Sequence, residues 1–186
     1  MRPDRTNAKG VSWLEWMIDT SHTNVNFSVR HMAISTVRGS FEKISGKVDV
    51  ESGKLTGADV DIEVASINTR DQNRDNHLRS ADFFDAESHP HLHFKMTKAE
   101  PVRGEEYKLS GELTIRGITK PVTLDATISA PFTDPWGNER MGVVLEGKIN
   151  RNDFELKWNQ VLEAGRLLVG NDVKIEVDAQ AFHPKG

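Results

Sequence analysis

Apolar and polar residues alternate with a period of two along most of this chain. Val48 and Val50 alternate with Lys47, Asp49 and Glu51, and Val60, Ile62 and Val64 with Asp59, Asp61 and Glu63. The same register runs through Leu109, Gly111, Leu113 and Ile115, then through Val122, Leu124, Ala126 and Ile128. It returns in Val173, Ile175, Val177 and Ala179, and in shorter form at Val25, Phe27, Val29, at Leu92, Phe94, Met96, and at Leu145, Gly147, Ile149. Each run has one dry face and one wet face, the signature of antiparallel strands. Turn residues separate the runs, at Glu51-Ser52-Gly53-Lys54, Arg103-Gly104, Gly117 and Asp134-Pro135-Trp136-Gly137-Asn138. Many short, evenly spaced strands sharing a dry face predict an all-β sandwich or closed barrel.

Two stretches break the alternation. Residues 71–80 are mostly polar and predict a short helix, docked over the barrel through Leu78 and one of Phe83 and Phe84. Residues 158–171 predict an irregular segment, a loop or one helical turn. The dry face also carries small residues, Gly111, Ala126, Ala130, Gly147 and Ala179. They mark bends, fit a tapering interior, or leave room for a ligand.

Length and composition then narrow the classes. The chain has 186 residues, enough for one domain with a sizeable core. Residues 1–12 are expected to be a flexible segment, and 13–184 the folded domain. Lys and Arg number 24 against 28 Asp and Glu, well interleaved, so no basic stripe exists to follow a phosphate backbone and nucleic acid is not an expected partner. There is no cysteine, which excludes disulfides, thiolate metal sites and cysteine nucleophiles. The apolar run Val11–Ile18 is broken by Ser12 and Glu15 and is too short for a signal-peptide core. The expected compartment is the cytoplasm, or the periplasm if a signal has been removed.

Little in the chain suggests bond-making chemistry. There is no phosphate-cradling loop, nucleophile elbow or His-Glu-x-x-His helix. His91 and His93 share the wet face of their strand, with no carboxylate in register within the run, and are expected to face water without a metal. His31 falls on the dry face after Val25, Phe27 and Val29, as a hydrogen-bonded interior residue or a polar contact for a ligand. Asp75 and His77 lie two apart and cannot face each other on a helix. With Arg74 they read as a salt-bridged cap over the barrel mouth.

On the blocks Ser66-Ile67-Asn68-Thr69, Arg74-Asp75-Asn76-His77-Leu78-Arg79-Ser80, Asp82-Phe83-Phe84-Asp85, His89-Pro90 and Arg151-Asn152-Asp153-Phe154, the chain bears a resemblance to the YceI-like family of lipocalin-like, polyisoprenoid-binding barrels. It runs in family order from Trp16-Met17-Ile18-Asp19 through Gly111-Glu112-Leu113-Thr114-Ile115-Arg116-Gly117 and beyond. The resemblance implies an extended eight-stranded antiparallel barrel around an apolar tunnel. The implied ligand is a long isoprenoid chain, as in polyprenyl phosphates or ubiquinone-like quinones, bound without catalysis and without a cofactor. On this reading Phe27, Val29, Ile62, Leu92, Phe94, Leu113, Leu124, Ile128, Leu145, Ile149 and Ile175 line the tunnel, with His31 and Trp158 at intermediate positions. A homodimer covering strand edges or the mouth is an expected partner state. Glu155 stands where many members have glycine. The alternatives are an enzyme acting on an isoprenoid or quinone headgroup through His22, His31 or His77, and a stress-related structural domain with a filled core.

Overall fold

Strands with one dry face must all leave water on the same side, and a sheet that closes on itself does this while removing its edges. The computed structural model describes residues 5–6 and 12–184. Its strands are β1 (Arg5–Thr6), β2 (Ser12–Ile18), β3 (Asn24–His31), β4 (Ser35–Phe41), β5 (Ile44–Glu51), β6 (Lys54–Glu63) and β7 (Ile67–Asn68). They continue with β8 (His91–Arg103), β9 (Glu106–Ile115), β10 (Ile118–Ile128), β11 (Phe132–Thr133), β12 (Glu139–Asn150) and β13 (Val169–His183). The helix α1 spans Gln72–Arg79.

These strands make eight staves. β2 and β3 form the first, and β4 and β5 the second, with β4 on β3 and β5 on β2. β6, β8, β9, β10, β12 and β13 follow in order, each antiparallel to its predecessor. β13 then pairs with both halves of the first stave, Ala181 opposite Ile18 and Val177 opposite Val25, and the barrel closes. The register brings the dry faces into line: Ile62 opposite Leu92, Phe94 opposite Leu113, Leu124 opposite Leu109, Leu145 opposite Val177, Ile175 opposite Phe27. The fold is the expected eight-stranded antiparallel barrel with one helix.

α1 starts where its capping residue requires, with Asp71 accepting from the Arg74 N–H at 3.0 Å. The irregular segment carries a bridge between Val161 and Leu167 and a short 3₁₀ turn, Glu163–Gly165, before β13 begins at Val169. In the expected flexible segment 1–12, Thr6 of β1 pairs with Ser12. Arg5 of the same strand pairs with Trp13, and residues 1–4 and 7–11 lie outside the described residues. No helix among the described residues is long and apolar enough to cross a membrane.

The two ends of the barrel differ. At one end Trp16, Val50, Leu109, Ile128 and Met141 pack into a solid plug. The Trp16 indole N–H has no acceptor there among the described residues. Leaving it unpaired costs about 1–3 kcal/mol. Burying roughly 150–250 Å² of ring surface returns about 4–6 kcal/mol, so the ring stays inside. The other end carries the turn after β3, the α1 connection and the segment between β12 and β13. Its core gathers Val25, Phe41, Ile67, Leu113 and Phe154.

Candidate functional site

Between the plug and α1 the barrel is not filled by its own side chains. A cavity of 260 Å³ occupies this stretch, and the surface it exposes is apolar, although Asn26, Arg151 and Gln180 also border it. Phe27, Val29, Ile62, Leu92, Phe94, Leu113, Leu124, Leu145, Ile149 and Ile175 all line it, as their register places them. Phe27, Val29, Ile62, Phe94, Leu145, Ile149 and Ile175 face inward yet remain only half-buried. In a close-packed interior such side chains would be fully covered. The lumen is elongated: β13 lines it at Val173, Ile175, Val177, Ala179 and Ala181, about 26 Å of strand at the usual rise.

Three of the expected wall residues lie elsewhere. Ile128 keeps its inward register but falls in the plug, packed with Trp16, Ala126 and Met141. His31 sits half-buried at the end of β3, paired with Val169 and Ser35, two residues beyond Val29, the last lining residue of its strand. Trp158 packs outside the wall, 4.7 Å from the His77 ring and 5.3 Å from Phe83 between centroids.

α1 closes the lumen through Leu78, with Phe83 and Phe84 behind it. The helix is not held by the expected salt bridge within its own cluster. Instead the buried Asp75 accepts from the Thr69 N–H at 2.9 Å and the Thr69 hydroxyl at 2.6 Å. Arg74 donates to Thr69 Oγ1 at 2.8 Å and to its carbonyl at 2.9 Å, and Arg79 donates to the carbonyls of Ala65 and Ile67. The polar face of α1 therefore stitches the helix to residues 65–69, and Leu78 is left pointing into the barrel.

The interior glycines do not make room for a ligand directly. A Cβ at Gly39 would meet the Phe27 ring at 2.4 Å, one at Gly111 the Phe94 ring at 2.5 Å, and one at Gly147 the Leu124 side chain at 2.4 Å. Each lets a large neighbour lie flat against the wall, and the lumen is what remains.

Arg151 is the site residue that the sequence reading passed over. It is 4% exposed and lies on the cavity wall. Its guanidinium donates to the carbonyls of Gly170, Leu156, Trp158 and Val169, and burial pulls its pKa down. The signal was present, because Leu145, Gly147 and Ile149 put residue 151 next in the inward register.

The histidines do not converge. His77 accepts or donates to Asp82 at 2.9 Å and packs edge-on against Phe83 and Trp158. His93 lies between Asp59 (3.2 Å) and Asp61 (2.8 Å) of β6, so the carboxylates missing from its own run come from the neighbouring strand. His22 Nδ1 meets both Ser21 Oγ (3.1 Å) and Asp19 Oδ2 (2.9 Å), while Ser21 Oγ donates to Asp19 Oδ1 at 2.6 Å. A nucleophilic relay needs its two partners on opposite ring nitrogens, so this cluster is a cap and not a triad. A polar groove of 490 Å³ runs outside α1 past Glu42, Lys43, Arg70 and Asp71, open to water and mixed in charge.

Known proteins share this architecture. The sequence model of the YceI-like domain matches residues 16–181. A UPF0312 protein of Staphylococcus aureus is 36% identical over 165 residues, covering 87% of this chain and 94% of that protein. The solved YceI protein of Campylobacter jejuni superposes with a TM-score of 0.72 at 34% identity, over 84% of this chain and 90% of that one. A polyisoprenoid binding domain from Saccharophagus degradans shares the fold, with a TM-score of 0.67 at 18% identity, over 91% of this chain and 98% of that one. The family match runs from Trp16 in the plug to Ala181 on the closing stave and so spans the whole barrel around the lumen: the chain belongs to the YceI-like family.

Proposed function

We propose that this protein binds and carries a long-chain isoprenoid lipid, a polyprenyl phosphate or a ubiquinone-like quinone, without chemistry of its own. The observation that carries the reading is the unfilled lumen, whose exposed surface is apolar and whose inward side chains are left half-buried. Polyisoprenoid binding in the Saccharophagus degradans domain of the same fold is consistent with it. Each buried CH₂ contributes about 0.8 kcal/mol, so the tail supplies most of the affinity. The volume of 260 Å³ lies just under the roughly 300–1,000 Å³ usual for small-molecule pockets. A long chain therefore enters as Phe27, Phe94 and Phe84 swing, and the headgroup stays at the α1 end.

The test is extraction of the purified protein with organic solvent, followed by mass spectrometry, together with uptake of added polyprenol and quinone. Recovery or uptake of an isoprenoid supports the reading. No recovered lipid and no uptake of either compound refutes it and favours the filled-core alternative. Turnover of a bound isoprenoid that is lost on His22→Ala, His31→Ala or His77→Ala would replace carriage with catalysis.

A further inference from the structure

The rim of the lumen carries apolar side chains that the chain leaves in water. Val161 is 74% exposed, Ile34 68%, Leu167 40% and Met32 37%. They sit on two turns that touch. The Met32 N–H donates to the Leu168 carbonyl at 2.8 Å, and the Leu168 N–H donates to the Gln160 carbonyl at 2.9 Å. Val161 and Leu167 bridge each other across the second turn. Val29 and Val169, a few residues away on β3 and β13, line the lumen. Both exposed turns therefore lie within a few residues of the cavity wall along their strands. The exposed Phe132 and Trp136 lie at the opposite end, on the side of the packed plug.

The charge around these turns leans positive, with three arginines against one glutamate across the two stretches. From Thr20 to Phe41 the chain has Arg30 and Arg38 and no Asp or Glu, although its net charge is −4. Residues 158–168 add Arg166 against Glu163. Arg30 is fixed on the first turn by donating to Thr36 Oγ1 at 3.1 Å and to the Ala33 carbonyl at 3.2 Å. Exposed apolar clusters flanked by guanidinium groups fit a leaflet of anionic lipid, with the apolar tips below the headgroups and the cations among them.

We propose that the turns at Met32–Ile34 and Val161–Leu167 dock the protein on an anionic lipid surface, with the lumen mouth against the leaflet. A chain would then pass between bilayer and barrel without crossing water. The proposal rests on the lipid-binding reading above for its purpose, and on the exposed turns for its geometry.

Flotation of the full chain with vesicles of phosphatidylcholine and phosphatidylglycerol tests it, alongside uptake of farnesol as a soluble isoprenoid. The protein floats with these vesicles and less with phosphatidylcholine alone. The combined variant Met32→Ser, Ile34→Ser, Val161→Ser, Leu167→Ser keeps its melting temperature and its farnesol uptake but loses vesicle binding by about ten-fold or more. Trp136→Ser, at the far end, floats like the parent. The docking surface is overturned if the parent stays unbound, if the combined variant floats equally well, or if the substitutions instead convert a dimer to a monomer in light scattering without changing flotation. A parent that floats but takes up no farnesol overturns the lumen reading and leaves the docking surface standing; farnesol uptake without flotation does the reverse.

Discussion

Phe27 lies flat over Gly39, its cross-strand partner, so closely that a Cβ on Gly39 would stand 2.4 Å from the ring. Thr69 closes the same space from the α1 side, at 2.9 Å. The volume of the lumen is therefore set at residue 39, which does not itself line it. Gly39→Val should force the Phe27 ring into the cavity. Overpacking of this kind costs about 1–3 kcal/mol, and isoprenoid uptake should fall at least as sharply as stability. Adding Phe27→Ala should restore uptake. Fluorescence titration with a labelled isoprenoid separates these outcomes, and unchanged uptake by Gly39→Val would mean that the ring does not bound the lumen.

Arg151 is a clasp between β12, the segment after it and the start of β13. Replacing it with methionine keeps much of the volume but leaves the carbonyls of Gly170, Leu156 and Trp158 without this donor, while the Val169 carbonyl keeps Asn159 Nδ2 at 2.8 Å. Each buried unpaired group costs about 1–3 kcal/mol, so a loss of at least ~3 kcal/mol is expected. Arg151→Lys should rescue little, because an ammonium lacks the planar fork that serves carbonyls on several sides. Urea unfolding gives the magnitude. Hydrogen exchange should show residues 155–170 opening first.

Arg140 joins two carboxylates, donating to Asp19 at 2.7 Å and to Asp134 at 2.8 Å. The Ser21 hydroxyl and Arg140 hold Asp19 well below the usual carboxylate range. Burial works to raise the Asp134 pKa, but Arg140 and the Asn138 and Trp136 N–H groups outweigh it and bring it down to about 2. Groups depressed on folding stabilise the native state above their unfolded pKa, near 4, and that stability is lost as pH falls through the folded values. The melting temperature should hold from neutral pH to about 4 and then drop toward pH 2. In Arg140→Met the deficit against the parent should be largest at neutral pH and shrink below pH 4. A deficit that is constant with pH would mean that the arginine acts through packing on Phe182, which lies 5.8 Å away, and not through charge.

Glu155 occupies a left-handed conformation, φ 58° and ψ 21°, at the end of the 3₁₀ turn Arg151–Phe154. A residue with a side chain pays about 1–2 kcal/mol there, and glycine does not. Part of that gain is offset by the greater freedom of glycine in the unfolded chain. Glu155→Gly should raise stability by up to about 1 kcal/mol, even though it removes an exposed ion pair with Lys157, because such pairs contribute little. Thermal unfolding at neutral pH checks the sign.

The alternation of Val60-Ile62, Leu109-Leu113, Leu124-Ala126 and Val173-Ile175-Val177 was enough to establish antiparallel strands with one dry face. The reason is local: a strand turns successive side chains to opposite sides, so pattern and facing are one property. The helix at 72–79 was readable from lost alternation in a mostly polar stretch, while its Asp71 cap came only with the structure. Which inward residues meet a ligand was not local. Ile128 and Leu124 share a strand and a face, yet one is in the plug and the other lines the lumen, because the barrel is packed at one end only. Asp75 and Arg74 read as partners but spend their bonds on Thr69, thirty residues along the chain from Gly39, whose space Thr69 also limits. The sequence by itself determined most of the strands, though not β2 or β4, together with their faces and the family. Only the tertiary structure decided that the interior is hollow, since a cavity is the space left between side chains from different staves and no single stretch of chain encodes it.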